Sequence, residues 1–105
     1  FLNLWREEHV DTSGVGLDSE AHTAVYFITH GAGGHTFSYL RQDSAASRMQ
    51  PQQLPQGLLR EARFFHASGI SQAISASASD SVFAAIDIAK SAGARFVYDA
   101  NLRPR

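Results

Sequence analysis

Arg95-Phe96-Val97-Tyr98-Asp99-Ala100-Asn101-Leu102-Arg103-Pro104-Arg105 decides how the rest of the chain is read. The stretch begins as a strand, because Phe96, Val97 and Tyr98 form an aromatic and β-branched run of the kind a sheet buries. It ends on Asp99, Asn101, Arg103 and Arg105. In an open parallel α/β sheet, ligands bind beyond the carboxyl ends of the strands. A strand that turns from apolar to Asp, Asn and Arg as it ends is therefore expected to floor a site. An ordinary strand-to-loop exit is the competing reading. A second polar cluster, at Tyr26, Tyr39 and Arg41, weighs against it.

Working back from this strand, Gly93 is placed to end a helix. Val82, Phe83, Ile86 and Ala89 are its expected buried stripe, and Ser79 or Asp80 its expected cap. Ile70 to Asp80 is so rich in serine and alanine that it resembles low complexity. Arg63 to Ser68 predicts a second buried strand, with His66 as a satisfied core or near-core histidine, stopping at Gly69. Strand, helix and strand then form a βαβ unit, whose crossover is right-handed by rule. Ser68-Gly69-Ile70 and Asp99 to Arg103 should open onto one sheet edge. Pro104 also restricts the backbone of Arg103 to extended conformations.

Earlier in the chain, Thr23 to His30 and His35 to Arg41 predict a β-hairpin around a four-residue loop, Gly31 to Gly34. With His30 opposite His35, Ile28 faces Phe37, Tyr26 faces Tyr39 and Ala24 faces Arg41. Period two then places Ala24, Tyr26, Ile28, Phe37, Tyr39 and Arg41 on one face. Val25, Phe27, Thr29, Thr36, Ser38 and Leu40 occupy the other. The glycines do not make a phosphate loop, since a β-rich run rather than a helix follows them. His30 and His35 are expected as exposed residues flanking the loop, and no metal site is expected. Phe1 to Glu8 reads as the end of an amphipathic helix, and Val10 to Leu17 as an irregular edge strand. Asp43 to Arg48 leaves the hairpin through small residues, Pro51 and Pro55 bracket a linker, and Pro55 to Ala62 predicts a short helix.

Composition narrows the class. The chain has 105 residues, 44% hydrophobic, with a net charge of -1 and no cysteine. That charge offers no broad basic surface for nucleic acid. The lack of cysteine excludes disulfides and thiolate metal sites and suits a reducing cytosol, so a cytoplasmic location is expected. No run reaches the roughly 20 apolar residues of a membrane span. Both ends fall in mid-architecture, so the expectation is an internal segment of a larger enzyme.

The motifs occur in a telling order: the hairpin with Tyr39-x-Arg41, then Ser44-Ala45-Ala46-Ser47-Arg48, then Ser68-Gly69-Ile70, then Asp99-x-Asn101-Leu102-Arg103. Together they resemble the middle of a ribokinase-like (PfkB) carbohydrate kinase, most closely the 2-keto-3-deoxygluconate kinases. Ala100 stands where that family often has proline, and His9 where a glycine is common. The resemblance implies an α/β fold, part of a parallel-sheet body with a β-stranded lid. Residues 1–9 would end a helix of the body, 10–48 would form the lid segment with its hairpin at 23–41, and 49–105 would return to the body. By position, Tyr26, Tyr39, Arg41, Ile70 and Arg103 would contact the sugar acid, and Asn101 would lie on the phosphoryl-transfer side. ATP and Mg2+ would be the cofactors, and the lid would pair two subunits. The family's catalytic base belongs to a Gly-Ala-Gly-Asp motif C-terminal of this stretch, so no residue here is named as base; Asp99 is read as structural. The resemblance leaves two alternatives, a kinase of another sugar such as fructose or ribose, and a non-catalytic sugar-acid-binding module.

Overall fold

A computed structural model describes residues 1–102. Arg103, expected at the sugar, therefore lies outside the described residues. Among these described residues four α-helices and four strands follow in the order α1 (Leu2–Glu7), β1 (Val25–Gly31), β2 (Gly34–Leu40), α2 (Gln56–Glu61), β3 (Phe64–Ser68), α3 (Gly69–Ala73), α4 (Ala76–Ser91) and β4 (Arg95–Asp99). No helix among the described residues is long and apolar enough to cross a membrane.

The α/β part is the expected βαβ unit. β3 and β4 pair in parallel, from Phe64 with Arg95 to Ser68 with Asp99. Phe65, Phe96 and Tyr98 share one face, their rings about 6 Å apart in sequence along it. Alanine lets α4 pack closely: Ala78, Ala85 and Ala89 are buried, along with Val82 and Ser81. Gly93 closes the helix at φ +92, a conformation that only glycine adopts without strain.

Several expectations are corrected. The serine-alanine stretch that resembles low complexity is largely helical, because alanine is the best helix former. Its cap is Ser75, whose Oγ accepts the Ala78 N–H, so neither Ser79 nor Asp80 starts the helix. Phe83 is exposed, and small residues take the buried stripe in its place. The strands expected to be buried are open on much of their surface: Phe64 is 57% exposed and Val97 48%. Only one face of this two-stranded sheet meets α4, which leaves His66 exposed as well, not in the core. Val10 to Leu17 forms no strand. There Asp11 Oδ1 accepts the Ser13 N–H at 2.8 Å and the chain turns, leaving the backbone no ladder to join.

The hairpin keeps the expected register from Val25 with Leu40 through His30 with His35. Its ladder extends one pair further, to Gly31 with Gly34, so the loop is the two residues Ala32 and Gly33 instead of four. Gly34 at φ +108 supplies the turn's left-handed position. Beyond the hairpin, Ala45–Arg48 and Pro51–Gln53 form 3-10 turns. Three serines of α4 and its cap hold this segment down. Ser75 Oγ donates to Ser47 O, and both Ser77 Oγ and Ser81 Oγ donate to Met49 O.

Candidate functional site

The carboxyl ends of β3 and β4 meet at Gly69. A Cβ added there would lie 2.3 Å from the Ala100 carbonyl oxygen and 3.1 Å from the Tyr98 hydroxyl. Backbone cannot yield to such a contact, so glycine is what lets α3 start against the β4 exit. Ser68 Oγ accepts the Ile70 N–H at 3.3 Å, capping the first turn. Ile70 is 43% exposed. On the β4 side Asp99 Oδ1 accepts the Asn101 N–H at 3.0 Å, and Asn101 sits at φ +39. Asp99 thus commits one carboxylate oxygen to shaping its own loop, and asparagine is among the non-glycine residues that most readily adopt a positive φ.

The hairpin carries the second cluster. Tyr26 and Tyr39 are a directly opposed pair, both exposed. Phe37 stacks on Tyr39 with ring centroids 6.4 Å apart, and the Arg41 guanidinium lies 5.1 Å from the centre of the Tyr39 ring. A cation over an aromatic face is attracted by the ring quadrupole, so Tyr39 orients Arg41 without consuming its five donors. His30 and His35 sit edge to face near the tip, 4.5 Å apart, and both are exposed as expected. Among the described residues no three His, Cys, Asp or Glu side chains gather to hold a metal ion.

A groove separates the hairpin exit from the end of α3. Arg41, Asp43 and Arg48 from the hairpin exit face Ala73, Ile74 and Ser75 from the end of α3 and the cap of α4, around an open volume of about 430 Å³. The hairpin base is fixed nearby. His22 places Nε2 3.2 Å from Gln42 O, and the Ala45 N–H donates to His22 O. Arg48 Nε lies 3.3 Å from Asp18 Oδ2. The Glu20 N–H donated to Asp18 holds its carboxyl below its usual value, against the opposing effect of burial, with the Ala21 N–H and Arg48 assisting.

The structure therefore brings Tyr26, Tyr39 and Arg41 onto one face, and sets Arg41 across a groove from the helix that begins with Gly69 and Ile70. Asn101 lies at the same strand edge, beyond Ala100. The sequence reading missed Gln72, which accepts a hydrogen bond from the Tyr98 hydroxyl, and Ser75, which ties α4 to the hairpin exit. The place of Ser75 before an alanine-rich helix signals its role as a cap, not its tie to Ser47 O.

Known proteins share this fold. A probable fructokinase-2 of Arabidopsis thaliana is 36% identical over 95% of this chain and 30% of its own length. The PfkB protein of Polaromonas sp. JS666 superposes with a TM-score of 0.87 at 32% identity, over 98% of this chain and 35% of that one. The fructokinase of Xylella fastidiosa, also solved with bound ATP, gives 0.84 at 28% identity, over 97% and 33%. This chain thus spans about a third of the length of the relatives it matches, and its fold is the ribokinase-like α/β arrangement. The model of the pfkB family of carbohydrate kinases matches residues 1–105, and the chain belongs to that family.

Proposed function

We propose that this chain forms the lid hairpin and the substrate-side strand ends of an ATP-dependent sugar kinase whose first substrate is fructose. The observation that carries the reading is the groove in which Arg41 faces the end of α3, because that helix begins at the sheet edge where α/β folds bind ligands. In this reading the Tyr26 and Tyr39 hydroxyls and the Arg41 guanidinium hold sugar hydroxyls. The Ile70 side packs the ring, and Asn101 faces the transferred phosphoryl group. Such residues act by positioning, which is most of what a protein supplies to phosphoryl transfer. ATP supplies the phosphoryl group and Mg2+ neutralises its charge. The described residues offer no carboxylate set for that ion, so both are proposed to bind chiefly to residues outside this chain.

Fructose is preferred to 2-keto-3-deoxygluconate because relatives and structural neighbours bear the name fructokinase. The keto-acid reading draws on Arg41 and Arg103, since a guanidinium suits a carboxylate. Subunit pairing through the hairpin is proposed on the face opposite the tyrosines, where Val25, Phe27 and Leu40 are exposed together. The test is an ATP-coupled assay of the full-length protein against fructose, ribose and 2-keto-3-deoxygluconate. Fructose should give the highest kcat/KM. Preference for the keto-acid would restore that substrate, and no turnover of any sugar would leave a binding module.

A further inference from the structure

We propose that the Tyr98–Gln72 hydrogen bond is a latch that sets the sugar side of the site by fixing α3 on the sheet edge, with both residues acting as positioning residues. The proposal rests on the kinase reading above. α3 is only five residues long and has no fully buried side chain of its own. Two contacts pin it from one side. Gly69 is pressed on the Ala100 carbonyl, and three residues later Gln72 Oε1 accepts the Tyr98 hydroxyl. Ile70 lies between these pins, and Ala73 and Ile74, which wall the groove opposite Arg41, follow directly after Gln72. Tyr98 reaches α3 because period two puts it on the face of β4 shared with Phe96, whose ring packs 5.9 Å away and steadies its direction. Neither residue needs to touch the sugar: the hydroxyl fixes a helix, and the helix carries the wall.

The test uses the full-length protein with fructose and ATP. Tyr98→Phe removes one oxygen and keeps the ring packing. It should raise the sugar KM about three- to tenfold, the usual effect of losing one such hydrogen bond, while kcat and the ATP KM stay within about twofold. Gln72→Leu should do the same. The double variant, in which two apolar groups meet, should be no worse than either single one. An unchanged sugar KM in Tyr98→Phe, or single effects that multiply in the double variant, would overturn the latch. A variant that changes kcat and both KM values alike would assign Tyr98 to general stability instead. If the wild-type protein phosphorylates no sugar, the kinase reading fails separately. The latch is then judged by amide exchange, which should quicken at Ile70 to Ala73 in Tyr98→Phe and nowhere else; equal exchange would sink it.

Discussion

Two residues show how much a single side chain carries. His9 ends α1 at φ 58, with its N–H on Arg6 O and the Val10 N–H on Trp5 O. That left-handed position favours glycine, and it explains why a glycine is usual there in the family that the sequence resembles. A side chain in that conformation costs roughly 1–2 kcal/mol. His9→Gly should therefore raise stability by about 1 kcal/mol, visible as a higher denaturant midpoint in the full-length protein; an unchanged or lower midpoint would show the strain to be relieved locally. Arg41 is the second case. With Tyr39 holding its guanidinium, its donors remain directed at the groove, and removing a hydrogen bond from a charged donor costs about 1.5–3 kcal/mol. Arg41→Ala should raise the sugar KM by about one to two decades and leave the ATP KM alone. An unaltered sugar KM would remove Arg41 from the site.

At the scale of elements, legibility followed the local pattern. The hairpin register was readable because the glycine loop sets His30 opposite His35, and a slip by one would separate Tyr26 from Tyr39. The start of α4 was not, because Ser75, Ser77 and Ser81 are satisfied by carbonyls 28 to 32 residues away, and sequence periodicity carries no trace of those partners. The strand-end candidates were legible by type, whereas the Tyr98–Gln72 contact spans 26 residues and was invisible. Ser75 both caps α4 and anchors the hairpin exit. Ser75→Ala should accordingly cost about 1–2 kcal/mol, more than Ser77→Ala, since Met49 O keeps Ser81 as a donor; equal costs would deny the double role. Asp18 fastens the other side of the hairpin base. Its folded pKa is depressed, chiefly by the Glu20 N–H, so its contribution is present above the unfolded value near 3.8 and is lost as pH falls through the lower folded one. The stability gap between wild type and Asp18→Ala should begin to narrow at about pH 4 and close as pH falls through the lower folded value; a gap that stays constant over that fall would mean the carboxylate's charge is irrelevant.

On the scale of the whole molecule, the fold and its family were readable while burial was not, since a strand's sequence reports what it is built to touch and not what covers it. Phe64, Phe96, Val97 and Tyr98 look like core residues and are at least one-third exposed. The buried apolar set among the described residues is Leu59, Val82 and five alanines. An alanine hides a single methyl group, and hydrophobic stabilisation scales with apolar area at roughly 25 cal/mol per Å², so this set offers little against the chain entropy of 105 residues. The shape agrees: the radius of gyration is 15.6 Å, against about 13 Å for a compact domain of this length. Both edges of the β3–β4 pair and both faces of the hairpin are open to other chains. The 105 residues by themselves should thus show no sharp heat-capacity peak, should bind a hydrophobic dye, should associate as concentration rises, and should transfer no phosphate from ATP to fructose. Calorimetry with sedimentation on the isolated chain checks this. A monomer that melts in one cooperative step would mean that alanine packing and the serine ladder suffice to hold the fold, and ATP-dependent turnover by that monomer would place the catalytic base among these residues after all.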